Sequence, residues 1–497
     1  MYHEHPLRIL KYSAKNIWLL IFPFLRGLRT YHFSKDFFYS WIQGAWKDIL
    51  VLGVIVIFGF IRWFFSRIEI SDDMLIHHDG VFVKLETYIP FENVSCAIVE
   101  NPLHFAVFGA KRLSCDTRAG IYKAVDIRLL VNEKVCDEVM KHIPDVEDKK
   151  SSSDLKRPSA LSLLLFSVFF SSGFSGTVYV AMFFFKGGDI AHDIISMSLN
   201  TLTKETAKLT DKLLLKIPSV ALMIGVFFLG SWFVSFIVNL LRYARFRLES
   251  DDDCVKISYG IVNHIDYRIK LAHINYTDIR QNLIMKLFGA VTVNISCAGY
   301  GAAKNRMPVL VPVRREKNIG KGFESIGVRS GLDTRFRARK AGAGSYLLPP
   351  VIAAIVVIPL YHLSRDAVNS FFPKLTELFH FAAVMAEIPL VWLIIVKIAA
   401  LLTSGISFHD DMIMIRCSKW NSFHTVIGDV GKVAKVEIEQ NLLQKMSKRC
   451  AVSIWFGSEE YKRFKVKAMN EEEALKIAEK LGYEITLRKE KLDNSGE

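Results

Sequence analysis

The chain lacks the motifs that announce an enzyme. It has no Gly-Lys-Ser/Thr phosphate loop, no Gly-x-Ser-x-Gly elbow and no His-Glu-x-x-His pair, so the common phosphate-loop, hydrolase and zinc-protease sites are not indicated. Its seven cysteines are Cys96, Cys115, Cys136, Cys254, Cys297, Cys417 and Cys450. They are odd in number and form no Cys-x-x-Cys pair, so neither a disulfide framework nor a zinc ribbon is indicated. Reduced thiols on the cytoplasmic side are the plain reading. The residues from His3 to Lys15 are polar and lack a small-residue cleavage pattern, so no cleavable signal peptide is read. Acidic charge is scarce: 50 Asp and Glu face 64 Lys and Arg, leaving a formal charge of +14.

Apolar sequence is abundant. Apolar residues make up 51% of the 497, with 36 Phe among them, and the mean hydropathy is +0.24. A helix needs roughly 20 mostly apolar residues to cross a bilayer. Five segments qualify or nearly so: Ile49–Phe65, Leu161–Phe185, Ile217–Leu241, Leu347–Leu363 and Phe379–Leu402. Ile17–Leu25 is shorter and holds Pro23; it is re-entrant, tilted or interfacial, with Trp18, Trp41 and Trp46 as nearby anchors. The loop 186–216 shows helical spacing of Ile195, Leu199, Leu202 and Leu209, read as an outer amphipathic cap.

Three polar regions separate these runs, and they repeat. A chain with internal similarity is read as repeats first. The triplets Asn101-Pro102-Leu103, Gln281-Asn282-Leu283 and Gln440-Asn441-Leu442 each begin seven residues after Val94, Ile274 or Val433. Phe108-Gly109-Ala110 and Phe288-Gly289-Ala290 follow at one distance, and Gly there suits a turn with positive φ. The third copy reads Met446-Ser447-Lys448, which puts a tight turn in question. Short alternating stretches such as Ile68-Glu69-Ile70, bounded by Asp72-Asp73 and Asp79-Gly80, predict strands. An apolar stripe at Val135, Val139 and Ile143, and another at Ala474, Ile477, Ala478 and Leu481 after Asn470, predict closing helices. Several strands closed by one helix outline a pleckstrin-homology-like (PH-like) domain.

Parity places all three polar domains on one side, because two spans separate each from the next. Lys and Arg at the domain-side flanks place them in the cytoplasm. Residues 1–66 hold the N-terminal segment and first hairpin, 67–146 domain 1 and 147–158 a linker. A second hairpin spans 159–243, domain 2 spans 244–328 and a basic linker 329–344. The third hairpin spans 345–404, domain 3 spans 405–486 and a polar tail 487–497.

With these features the chain resembles YdbT-like bacterial membrane proteins carrying three bacterial PH domains of the second type. His5-Pro6-Leu7, the Asp-Asp turns at Asp72, Asp251 and Asp410, and the course from Ile89-Pro90 through Val94 to Gly109 carry the resemblance. It implies three repeats of a transmembrane helical hairpin followed by a PH-like β-barrel or sandwich with a C-terminal helix. It supplies no catalytic residue. It suggests a scaffold role in envelope stress or bacteriocin resistance.

Basic residues at the span ends are candidate contacts for anionic headgroups: Arg67, Lys156, Arg157, Arg242, Arg245, Arg247, Arg337 and Arg339. Their juxtamembrane positions favour lipid over nucleic acid. His3, Glu4 and His5 fall short of the three or four placed donors a metal site needs, and His77-His78 is read the same way. No cofactor is indicated. Glu387 and Lys397 lie inside the last apolar run, where charge is costly. They are about 15 Å apart on a helix, too far to pair. Either each reaches an interface, or they form an intramembrane polar site. Arg62 is read as snorkelling to the cytoplasmic side.

The first functional expectation is therefore a non-enzymatic membrane protein presenting three cytoplasmic PH-like domains to lipid heads, to a protein partner or to a second copy of itself. The alternative is a transporter or lipid-handling protein that uses the hairpins and Glu387. A lipid-modifying enzyme would need a cluster of reactive residues that the sequence does not display.

Overall fold

The computed structural model describes residues 1–13, 50, 52–118, 125–145, 158–170, 219–251, 253–300, 309–316, 336–338, 342–373, 376–458 and 462–483. The chain divides into two compact units. One comprises Met1–Arg157, Arg245–His273 and Cys297–Arg306; the other comprises Pro158–Ala244, Ile274–Ser296 and Met307–Glu497. The division falls inside the second repeat, which contributes strands to each unit.

The first unit holds a four-stranded antiparallel sheet of β1 (Tyr2–His3), β2 (Arg67–Ile70), β3 (Met74–Asp79) and β4 (Leu85–Pro90). Helix α1 (Leu52–Phe65) leads into β2. A 3-10 turn, Phe91–Asn93, then delivers the chain to β5 (Val94–Pro102). The short helix α2 (Leu103–Ala106), β6 (Ala110–Thr117), β7 (Ile127–Asn132) and α3 (Glu133–Lys141) complete the first repeat. Alternation puts Ile68, Leu75 and Ile89 on the inner face of one sheet and Ala97, Leu113 and Leu129 on that of the other. Val135, Cys136 and Val139 of α3 seal this core, each large apolar side chain contributing about 1.5–3 kcal/mol on burial. This is the expected β-sandwich with a closing helix.

β5 does not end its sheet. It pairs with β10 (Asn263–Lys270) of the second repeat, whose neighbours are β9 (Cys254–Tyr259) and β8 (Arg247–Ser250). The result is one six-stranded sheet in the order β7-β6-β5-β10-β9-β8. Side chains fasten the joint. Arg268 Nη1 donates to Met140 O at 2.7 Å and Arg268 pairs with Asp145 at 2.6 Å, which places positive charge where the α3 carbonyls end. Lys270 Nζ donates to Phe91 O and Glu92 O at 3.0 and 2.7 Å.

The second unit repeats the device. A 3-10 turn, Leu271–His273, precedes β11 (Tyr276–Asn282), followed by α6 (Leu283–Leu287), β12 (Ala290–Ser296) and β13 (Val309–Arg315). β11 pairs with β17 (Ser422–Asp429) of the third repeat, beside β16 (Met412–Lys419), β15 (Gly405–His409) and the two-residue β14 (Phe336–Arg337). Seven strands thus form one sheet. After the turn Val430–Lys432 come β18 (Val433–Glu439), α9 (Leu442–Met446), β19 (Arg449–Phe456), β20 (Arg463–Asn470) and α10 (Glu471–Lys480). Ile413, Ile415 and Val426 meet Val452, Ile454 and Val466 in the core, with Ala474 and Ile477 of α10 closing it. Asn470 holds the N-cap position of α10 without a side-chain bond, and three glutamates follow in the first turn, where acidic charge suits the helix dipole.

The helices of this unit are apolar. Helix α4 (Ala160–Phe170) packs on α5 (Ser219–Tyr243), with Phe166 and Tyr243 edge to face at 4.8 Å. α7 (Ala343–Phe371) and α8 (Thr376–Thr403) pack as a hairpin. Among the described residues α7 is the helix long and apolar enough to cross a membrane. It keeps Pro349, Pro350 and Pro359 in its interior, as membrane helices tolerate. Ile355, Leu360, Leu229 and Ile57 are all more than half exposed, a surface that suits lipid rather than water. The segment Ile17–Leu25, the loop 186–216, most of the expected second hairpin and the end of the second domain lie outside the described residues.

The third tight turn, in question from the sequence, is present. Lys448 takes φ 49°, beside 67° at Gly109 and 59° at Gly289. The surrounding strand and helix hold a non-glycine residue left-handed there, at some conformational cost.

A buried polar group marks the second joint. Asp278 on β11 lies within 3.0 Å of His424 Nδ1 on β17 and 2.6 Å from Arg280 Nε. Burial pushes its carboxyl up, but His424 and Arg280 outweigh it and bring the pKa down to about 2. Such a group adds stability above the ordinary carboxylate range and loses it as pH falls toward 2. Asp278→Ala should cost about 1–3 kcal/mol, because it removes the buried acceptor that the half-buried His424 and Arg280 share. Asp278→Asn should flatten the acid limb of stability between about pH 4 and 2. Thermal unfolding of the detergent-solubilised protein against pH measures both; an unchanged acid limb in the Asn variant would show that the pair contributes nothing.

Candidate functional site

The described basic candidates sit where apolar helices meet strands. Arg67 opens β2 just after α1, and Arg247 opens β8. Arg242 is in the last turn of α5. Arg245, exposed, turns the chain with φ 57°. Arg337 is exposed in β14, ahead of α7. Lys156, Arg157 and Arg339 lie outside the described residues. The described candidates are distributed over separate helix–strand junctions.

A tighter cationic cluster lies in the first unit. Residues 7–13 are helical, which puts Arg8 and Lys11 on neighbouring turns. Arg8 Nη1 donates to Arg128 O at 2.7 Å on β7. Burial, then the guanidinium groups of Arg8, Arg112 and Arg128, pushes the Lys11 ammonium down to about 8. Arg112 pairs with Glu100 at 2.8 Å and lies over the Phe105 ring. Four cations thus share one region, and two of them, Arg8 and Lys11, shortly precede the apolar segment Ile17–Leu25 in the sequence. Arg8 and Lys11 are readable as one-turn neighbours, but Arg112 and Arg128 join them only through the pairing of β6 with β7.

Beside this cluster a buried carboxylate organises the N-terminus. Glu4 forms an ion pair with Arg8, 2.7 Å from its Nε, and lies 3.4 Å from His77 Nε2. His77 also meets Ser66 Oγ at 3.2 Å, and Trp63 Nε1 donates to Glu4 O at 2.7 Å. Arg62 stacks over Tyr12 and pairs with Asp79 at 3.0 Å, so its charge does reach the first domain. His5 Nε2 donates to Phe108 O at 3.2 Å, and its Nδ1 accepts from Leu7 N–H. His3 lies against Trp63. The three N-terminal residues therefore have separate structural contacts. No group of three His, Cys, Asp or Glu able to hold a metal occurs among the described residues.

Glu387 and Lys397 are not brought together. Lys397 Nζ donates to Trp420 O at 3.1 Å, and Trp392 Nε1 donates to Asn421 Oδ1 at 2.8 Å. The β16–β17 hairpin tip thus lies along the last third of α8. Val396 and Ala400 of α8, Leu283, Phe423 and Tyr346 share one buried cluster there. Glu387 is half-buried farther up α8. A polar contact with no local signature in the chain, Tyr361 with His380 at 2.5 Å, links α7 to α8.

The short helices after the repeated triplets end in exposed apolar tips. Val107 and Phe108, Leu287 and Phe288, and Met446 are all more than 60% exposed. In the second unit Leu283 packs in the cluster that includes α7 and α8, and Gln444 reaches Ser345 at the start of α7. The triplets were legible as repeats. Their tips became candidate contacts only once their exposure was known.

The comparisons with known proteins agree with this architecture. The bacterial PH domain model matches residues 48–145, 204–322 and 348–485, more than half of the chain. The UPF0699 transmembrane protein YdbT of Bacillus subtilis (strain 168) is 23% identical over 344 residues, covering 63% of this chain and 67% of the relative. No solved structure matches. A membrane protein with PH-like β domains, similar to that relative, is the plain sum of these observations, and with three matched regions the chain belongs to the bacterial PH domain family.

Proposed function

We propose that the chain is a non-enzymatic membrane scaffold. Its helical hairpins hold three PH-like repeats at the cytoplasmic face, where they engage anionic headgroups and a protein partner. The observation that carries this reading is the pair of sheet joints, β5 with β10 and β11 with β17. Each joint makes consecutive repeats share one hydrogen-bonded sheet, which suits a rigid platform better than independent binding modules. The contacts of Trp392 and Lys397 with the β16–β17 tip support a platform held close to the bilayer.

The cationic cluster of Arg8, Lys11, Arg112 and Arg128 is the headgroup site in this proposal. Juxtamembrane cations contribute about 1 kcal/mol each toward anionic lipid. Crosslinking in native membranes, followed by mass spectrometry of co-purified proteins and lipids, tests the whole reading. Recovery of neither a protein partner nor anionic lipid would end it.

Topology has a separate test. All seven native cysteines are buried, so added thiols report cleanly. Ala367→Cys, in the α7–α8 hairpin end, should react with an impermeant maleimide on intact cells. Lys476→Cys, an exposed position of α10, should react only after lysis. The reverse pattern would place the domains outside.

The ammonium of Lys11 gives a pH signature. Its folded pKa lies below the ordinary lysine value of 10.5, so the cost of charging it is full below about pH 8 and fades as pH rises toward 10.5. Lys11→Gln should therefore stabilise the protein at pH 7, by at most about 1 kcal/mol given solvent screening. Short-chain phosphatidylglycerol should raise the unfolding midpoint of the wild type in zwitterionic nanodiscs at pH 7, and by less at pH 9.5, where Lys11 alone of the four has lost its charge. Lys11→Gln should lose about a quarter of that rise and its pH dependence; an unchanged rise would remove Lys11 from the site.

A further inference from the structure

The two internal joints share one register. In each, the residue two before a repeat's 3-10 turn lies opposite the residue three after the preceding repeat's turn. Ile269 faces Cys96, and Gly428 faces Tyr276. At the far end each joint also closes alike, with Asn263 opposite Pro102 and Ser422 opposite Asn282. The same operation is thus performed twice.

Counting the same way leaves one half of a joint at each end of the repeat series. β18 is the third repeat's counterpart of β5 and β11, and among the described residues it is an edge strand of a three-stranded sheet. Its residues are exposed or half-buried, whereas β5 is mostly buried. β4 is the first repeat's counterpart of β10 and β17, and among the described residues it too is an edge strand. Leu85 and Tyr88 on it, with Val83 just before it, are each more than half exposed. β18 keeps even the irregularity of β5, a bulge between the first and third residues.

We propose that β18 of one molecule receives β4 of a second copy of this chain, as an antiparallel strand in the register of the internal joints. Ile89 then faces Lys435, Tyr88 faces Val436, Thr87 faces Glu437 and Leu85 faces Glu439. Tyr88 with Val436 is an aromatic–β-branched cross-strand pair, a favourable kind. The charges on the β18 edge already have partners: Glu439 pairs with Arg463 and Lys465, and Lys435 lies over Trp455 at 4.9 Å. The contact is heterologous, so it builds a ring or an open chain according to its rotation. It names a partner within the scaffold reading and rests on that reading only for the two copies sharing one membrane face.

The outer joint is weaker than the inner ones. Lys270 and Lys432 each donate to carbonyls at the preceding repeat's turn or strand start, Lys432 to Ile274 O at 2.6 Å. The first repeat has Pro90 and Asn93 at those two positions. Pro90 lies just outside the paired stretch, so it removes a fastening without blocking the strand.

Two differently tagged full-length proteins, one Thr87→Cys and the other Glu437→Cys, are co-expressed and oxidised in native membranes. The expected result is a mixed disulfide dimer, well above that from Thr87→Cys with Lys476→Cys. Tyr88→Cys with Val436→Cys is the second pair if either first variant folds poorly. Adding Pro90→Lys should raise the mixed dimer about two- to tenfold, the effect of one hydrogen bond. Dimers of Glu437→Cys with itself, or no excess over the Lys476 control at either pair, would overturn the proposal. Because it reads copy-to-copy contact alone, failure here leaves the headgroup and topology tests of the scaffold reading intact.

Discussion

Backbone hydrogen bonding along two strand edges is the constraint on which the rest depends. A PH-like sandwich offers an unpaired edge, and such an edge is a liability in water. Here β5 and β11 meet that demand by taking a strand from the next repeat. Everything that follows at each joint serves the pairing. Arg268 closes the α3 terminus, Lys270 and Lys432 bind turn carbonyls, and Asp278 holds His424 and Arg280 beneath the sheet. Gly428 leaves room for the Phe456 ring, which an added Cβ would meet at 2.5 Å.

The apolar helices α7 and α8 are bound into this scheme in the second unit. Leu283, which opens α6 directly after β11, packs with Tyr346 of α7 and Val396 of α8. Phe423 of β17 joins the same cluster, so the joint and the helical hairpin share a core. Lys397 makes its bond to Trp420 O at this level. That contact gives the lysine of an apolar helix a polar partner, which its long stem lets the charge reach.

Much of the architecture was legible in the chain. The spacing from Val94, Ile274 and Val433 to the triplets marks three equivalent strands, and all three form. The stripes at Val135 and Val139, and at Ala474 and Ile477, become the closing helices. Lys448 escaped, because a glycine pattern predicts a left-handed residue only where glycine is present; tertiary packing holds the lysine there instead. The cluster of Arg8, Lys11, Arg112 and Arg128 escaped too, since its members are separated by about a hundred residues and meet only when β6 and β7 pair.

The sequence by itself determined the apolar helices, the repeat of strand, turn and strand, and the residues that face each core, because these follow from local periodicity. Which edge meets which was decided only by the tertiary structure. Strands separated by well over a hundred residues carry no local signal of their partner, and register emerges from burial and turn geometry once the sheets assemble. Val94, Ile274 and Val433 open equivalent strands in sequence. The fold gives the first two a neighbour from the following repeat and, among the described residues, leaves the third at the edge of its sheet.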